Sequence, residues 1–217
     1  MTTSTSTRNY VSNGCLAEYD AFAALVEGLN ESQWSSAARC AGWQARDVAG
    51  HVVGLAEDTA AGRPGSRNAD EEAASVRGES PAGAAARLRA AIGALRALLD
   101  VIDDDAWNGP SGVPDLTLGE GVLTLWYDTY VHADDIRDAI GEPSARGAGL
   151  DATIEYLAAQ LTARGWRPAT LVLDDVQPRD VSGGGAEITG DALQFMLVAT
   201  GRAEPETMGL EPGISIY

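Results

Sequence analysis

The sequence predicts an α+β protein, with an N-terminal four-helix bundle over residues 1–145 and a small α/β domain over residues 146–217. Three observations carry this reading. Four long segments of the first part place apolar residues at helical spacing, and two of them open on strong helix-start signals. After "GEPSARGAGL" (141–150) the pattern changes, and short β-branched runs alternate with helical ones. Hydrophobic residues make up 45% of the 217, enough for a real core and too many for a disordered or fibrous chain.

The elements follow in order. The Ser/Thr-rich first dozen residues read as a frayed tail. From about Gly14 to Leu29 the residues Leu16, Tyr19, Phe22, Ala23, Val26 and Leu29 form one apolar stripe, which predicts the first helix. A second helix starts near Gln44 and carries Val48, His51, Val52 and Leu55 on one face. Residues 60–80, "AAGRPGSRNADEEAASVRGES" in full, lack periodicity and read as a long mobile loop remote from any chemistry. Ser80-Pro81 supplies an N-cap with proline at the first helical position and opens a third helix, which "NGPSGVPD" breaks. Thr117 and Glu120 form a capping box for a fourth helix ending at Gly141, with Pro143 just beyond. Beyond the boundary the chain reads as a helix over 151–164, strands in "ATLVLDD" and "AEITG", a helix in "DALQFMLVATG" and a terminal strand in "GISIY". The glycines of "SGGGAEITG" lack dinucleotide-binding spacing and read as a turn.

Composition narrows the function. The formal net charge is −17, from 32 acidic and 15 basic residues, and such a field repels phosphate backbones, so no nucleic-acid partner is expected. All the basic residues are arginine; without lysine, Schiff-base catalysis by a lysine is excluded. No apolar run reaches transmembrane length, so no membrane partner is expected. "MTTSTSTRNY" has no basic region followed by an apolar one, which predicts a cytoplasmic chain rather than a secreted one. Two cysteines, Cys15 and Cys40, are too few for a disulfide framework and suit a reducing compartment.

The chain has two histidines, and both fall on amphipathic helices. Asp128 and His132 stand at i and i+4, on one helix face with Cβ atoms about 5–6 Å apart. A carboxylate and an imidazole so placed can share a metal ion, with His51 from the second helix as a third ligand and coordination positions left open. The competing reading is a pair of hydrogen-bonded core histidines, and spacing alone does not separate the two.

Two segments then resemble a family. "CAGWQARDVAGHV" (40–52) is similar to C-x-G-W-x-x-x-[DE]-x-x-x-H, and "YDTYVHADDIRDAIG" (127–141) to E-x-x-x-H-x-x-D-[IV]-R-x-A-[LI]-G. These are signature segments of the mycothiol-dependent maleylpyruvate isomerase family, a branch of the DinB-like metal-binding helix bundles. "GDALQFMLVATGRAEPETM" (190–208) resembles the end of the family's small C-terminal α/β domain. The resemblance implies a divalent metal on His51, Asp128 and His132, zinc first, with nickel, manganese or iron as alternatives. It implies mycothiol as the thiol cosubstrate and Arg202 as a residue needed for activity, gripping the carboxylate of a small anionic electrophile. The reaction is then a cis–trans isomerisation or a thiol S-transfer, in a monomer or homodimer. One position departs: aspartate stands at 128 where the family has glutamate. The side chain is one methylene shorter, so either the helix sits closer to the metal or a water bridges the gap.

Other residues carry two readings each. Asp135 either orients a ligand histidine or is solvated, and Asp47 either does the same for His51 or caps its helix. Cys40 reads as a small buried residue rather than a nucleophile or fourth ligand. Trp43, Trp126 and Tyr127 read as core packing before pocket lining. Two other functions fit the same residues: a thiol-independent metal enzyme (hydrolase, lyase or ring chemistry), and a non-catalytic module that binds metal or an apolar ligand.

Overall fold

Local sequence sets where the long helices begin and end. The structure, a computed structural model, describes residues 5–216. Four long helices, α1 (Thr5–Glu27), α3 (Ala45–Ala60), α5 (Pro81–Leu99) and α7 (Leu118–Ile140), dominate the first part of the chain. Three short ones, α2 (Glu31–Trp34), α4 (Ala69–Ala73) and α6 (Asp104–Trp107), lie between them. Ser80 Oγ accepts from the Gly83 amide at 3.1 Å to open α5. Thr117 and Glu120 cap α7 reciprocally, the Glu120 carboxylate accepting from the Thr117 amide at 2.8 Å. Gly141, at φ 73°, takes the left-handed conformation that ends α7. At α3 the Asp47 carboxylate accepts from the Gln44 amide at 3.0 Å, so Asp47 is a cap and not a partner of His51.

The chain divides into two compact units, Met1–Pro143 and Ser144–Tyr217. In the first, α1 packs on α5 and α7, and α3 packs on the same two helices. Their inward stripes build the core from Tyr19 and Phe22 on α1, Val48 and Val53 on α3, Leu88 on α5, and Trp126, Tyr130 and Ile136 on α7. Each large apolar side chain buried there contributes about 1.5–3 kcal/mol. A Cβ at Gly14 would lie 2.0 Å from the Trp126 ring, so the absence of a side chain there is what seats that indole.

In the second unit α8 (Ala148–Ala163) and α9 (Ala192–Ala199) accompany a three-stranded sheet of β1 (Ala169–Asp174), β2 (Arg179–Val181) and β3 (Ala186–Asp191). The strand order is β2-β1-β3, with β1 antiparallel to β2 and parallel to β3. Ser182, Gly183 and Gly184 all have positive φ and turn the chain between β2 and β3. Among the described residues no helix is long and apolar enough to cross a membrane.

Three expectations are corrected. The Ser/Thr-rich start is helical from Thr5, because Val11 and Ser12 are buried and Arg8 pairs with Asp104 at 2.9 Å; residues 1–4 lie outside the described residues. The segment 60–80 is not an unstructured loop: it holds α4 and a 3-10 turn (Ala74–Val76), with Glu72, Ala73 and Val76 buried against α3. "GISIY" forms no strand over 213–216; Ile214 and Ile216 are buried, one backbone bond links Ile216 to Ala199, and Tyr217 lies outside the described residues. The short strand β2 was not expected, because its three residues, Arg-Asp-Val, show no alternation.

Candidate metal centre

The site lies where α3 and α7 face each other. His51 comes from the first half of α3, Asp128 and His132 from the middle of α7, and one ligand atom from each lies within 4.8 Å of the others. His51 Nε2 is 3.4 Å from Asp128 Oδ2, and His132 Nε2 is 3.5 Å from Asp128 Oδ1. In a tetrahedral site with bonds of about 2.0–2.1 Å, ligand atoms stand about 3.3–3.4 Å apart. Two imidazole nitrogens and a carboxylate at these separations fit a divalent cation such as zinc. The Asp128 carboxylate lies within 3.5 Å of both Nε2 atoms, one oxygen toward each ring. The two rings are nearly perpendicular, with centroids 4.9 Å apart.

The far side of each imidazole is held by a buried carboxylate. His132 Nδ1 is 3.0 Å from Asp135 Oδ2, and Asp135 is fully buried. His51 Nδ1 is 2.8 Å from Glu72 Oε2, an ion-pair distance out of line for a well-formed hydrogen bond. With a proton on each Nδ1, both Nε2 lone pairs point at the space beside Asp128. This carboxylate–histidine arrangement is the usual outer support of a metal site. Burial lowers the His51 pKa, but the Asp128 and Glu72 carboxylates outweigh it and raise it to about 10. A bound metal replaces that proton.

Backbone constraints explain the placement. Gly50 and Gly54 flank His51 on α3, and each is closely overlaid by the 69–76 segment. A Cβ on Gly50 would lie 2.2 Å from the Ala73 carbonyl oxygen, and one on Gly54 would lie 2.8 Å from Glu72 Cβ. A helical glycine costs about 1 kcal/mol relative to alanine; here the pair lets Glu72 settle beside His51. Ahead of α3, residues 36–45 form a tight reversal. Gly42 has φ +80°, and backbone bonds join Ala38 to Trp43 and Ala45 to Ser36. This reversal brings the Trp43 ring within 5.6 Å of His51 and 6.5 Å of His132, centroid to centroid, with its indole N–H donating to Asp70 at 3.2 Å. Trp43 therefore lines the site. Trp126 and Tyr127 are core residues, with Trp126 donating to Glu18 at 3.3 Å.

The same reversal fixes Asp135. Cys40 donates to Asp135 Oδ2 at 3.4 Å, and Arg39 reaches Asp134 at 2.8 Å, Asp138 at 2.9 Å and Asp135 at 3.7 Å. Half-buried Cys40 is thus a partner of the carboxylate that holds His132. Cys40, His132 and Asp135 form a second group compact enough for a cation, but its atoms already bond to one another. Arg202 lies in the second unit, three residues past the end of α9, and donates to the Thr200 carbonyl at 3.3 Å.

Of the residues singled out from sequence, His51, Asp128, His132 and Asp135 are brought together, as are Cys40 and Trp43. Glu72 and Arg39 were missed. For Glu72 a signal existed in the Gly50-x-x-x-Gly54 spacing around His51, which marks a close backbone approach; for Arg39 there was none.

The comparisons with known proteins bear on this site. The profile of the mycothiol maleylpyruvate isomerase N-terminal domain matches residues 15–137. No curated protein matches the chain. Among solved structures it is similar to a crystal structure of the mycothiol-dependent maleylpyruvate isomerase, at 17% identity and a TM-score of 0.60 over 90% of this chain and 88% of that one. A histidine-to-alanine mutant of that isomerase is similar at 16% identity and a TM-score of 0.56, with the same coverage. At such identities the structures establish a shared fold, and the profile match, which spans more than half of the sequence, establishes the family. The chain belongs to the mycothiol maleylpyruvate isomerase N-terminal domain family.

Proposed function

We propose that this protein is a metal-dependent enzyme that uses the thiol of mycothiol on a small electrophile, as a maleylpyruvate isomerase-like isomerase or a thiol S-transferase. The observation that carries it is the convergence of two imidazole Nε2 atoms on Asp128, each ring backed by a buried carboxylate. His51, Asp128 and His132 are the ligands in this reading. Asp135 pairs with His132 Nδ1, the Glu72 carboxylate stands at ion-pair distance from His51 Nδ1, and Trp43 covers part of the site. A divalent metal bound there holds a thiol as thiolate at neutral pH. In an isomerase the thiolate sulfur would add to the substrate double bond, whose π pair moves onto an adjoining carbonyl; the resulting single bond rotates, and the pair returns to re-form the double bond as the thiolate leaves. In a transferase the adduct would take up a proton instead and the sulfur stays. The side chains of the ligands are 11–16% exposed, which keeps the site open to small molecules. Arg202 is assigned the grip on a substrate carboxylate, on the strength of the family resemblance.

The test is metal content, melting temperature and mycothiol-dependent turnover on wild type, Asp128→Asn and Arg202→Ala. The wild type is expected to hold about one divalent ion per chain. Asp128→Asn should weaken metal binding by more than the ~100-fold seen for losing an outer partner, and abolish turnover. Arg202→Ala should raise KM and keep the metal. An Asp128→Asn protein with full metal and full turnover refutes the ligand set. Turnover that is indifferent to mycothiol refutes the thiol chemistry.

A further inference from the structure

A second feature adjoins the candidate centre. Leu55 and Thr59 stand one and two turns from His51 along α3; Leu125 stands one turn, and Val122 and Gly121 two turns, from Asp128 toward the start of α7. These residues, with Leu118 and the loop residues Pro64, Gly65, Ser111, Val113 and Leu116, enclose a cleft of about 240 Å³. It shares Thr59, Leu118, Val122 and Leu125 with a neighbouring cavity of about 330 Å³. Among the described residues, no charged side chain lines the cleft, and its polar side-chain groups are the hydroxyls of Thr59, Ser111 and Thr124. All three are already engaged: Thr59 donates to the Leu55 carbonyl at 2.8 Å, Thr124 to the Glu120 carbonyl at 2.8 Å, and Ser111 to the Val113 carbonyl at 3.3 Å. The charged residue of the adjoining cavity is Arg63, whose side chain is 68% exposed and 3.8 Å from Asp58.

From this we infer that the α3–α7 cleft is the subsite for an uncharged, apolar portion of the electrophilic substrate. The inference rests on the metal reading above and concerns the first unit alone. Its physical basis is exclusion as much as attraction. A carboxylate placed among Leu55, Leu118, Val122 and Leu125 would lose its water and find no cation. A hydroxyl-rich sugar such as that of mycothiol would leave its donors and acceptors unpaired there. An alkyl chain or aromatic ring gains from the transfer, and a dry cavity of about 150 Å³ already accommodates benzene. The helices that carry His51 and Asp128 also carry the cleft walls, and Leu55 and Leu125 stand one turn from those two side chains.

The test uses straight-chain alkyl hydroxamates on the zinc-loaded full chain, from acetohydroxamate to octanohydroxamate, measured by calorimetry. The hydroxamate anchors on the metal and the tail probes the cleft. Affinity is expected to rise roughly fourfold per added methylene until the cleft is filled. A tail of equal length ending in a carboxylate should bind more weakly than its alkyl counterpart. Gly121→Leu fills the cleft from α7, where a Cβ would already meet Ser111 Cβ at 3.3 Å. Leu55→Ser removes an apolar wall without adding bulk, so it serves even if the first variant misfolds. Both should shrink the octano-to-aceto affinity ratio. A flat series on protein that binds acetohydroxamate, or a carboxylate tail that binds as tightly, overturns the cleft assignment and leaves the metal reading standing. Failure of acetohydroxamate to bind zinc-loaded protein overturns both.

Discussion

Replacing Glu72 by glutamine tests whether the carboxylate behind His51 supports metal binding or only packing. Glutamine has nearly the same shape, so the contact with α3 over Gly54 is preserved and the change is one of charge. The Glu72 side chain is 4% exposed and its Oε2 lies 2.8 Å from His51 Nδ1. Little water is available to replace it, so the loss is not screened away as it would be at a surface. Loss of an outer-shell partner lowers metal affinity by about 10–100-fold, or about 1.4–2.7 kcal/mol. Glutamine keeps a neutral acceptor for the Nδ1 proton and belongs at the lower end; Glu72→Ala removes the acceptor and belongs at the upper end. The assay is zinc competition against a chromogenic chelator, with melting temperatures taken in the metal-free state. Zinc affinity within twofold of wild type in both variants, with only the alanine variant melting lower, would show that Glu72 is a packing residue. It would also refute the reading of a supported centre.

Two further outcomes concern Glu18 and the two cysteines. Burial raises the Glu18 pKa, against a hydrogen bond from Trp126 and the charge of Arg137, which lower it. Below the ordinary carboxyl pKa both the folded and the unfolded chain hold the proton and no penalty exists; as pH rises through the window up to the raised value, the unfolded chain ionises first and stability falls. Glu18→Gln should therefore raise the melting temperature at neutral pH and give no gain in acid; a gain independent of pH would rule the account out. Burial, with the Glu18 charge adding to it, pushes the Cys15 thiol far up, whereas Cys40 is half-buried. A small thiol reagent at pH 8 should label Cys40 in the native protein and reach Cys15 only in denaturant; fast native labelling of Cys15 would contradict the packing around α1.

The sequence by itself determined what depends on neighbours along the chain. Caps at Ser80 and Thr117 and the stop at Gly141 set helix ends, because each bond spans three or four residues. The i, i+4 relation put Asp128 and His132 on one face. Two motif segments brought His51 into the same reading. What the tertiary structure decided is what depends on residues far apart in sequence. Glu72 sits in a stretch without periodicity, and it became part of the site because Gly50 and Gly54 let that stretch lie directly on α3. Asp135 is buried and ionically supported because Cys40, 95 residues away in sequence, and its neighbour Arg39 fold over it. Spacing could not tell whether aspartate would reach both histidines; that follows from the approach of α3 to α7. The apolar cleft is a property of the same approach, since neither helix alone encloses a volume.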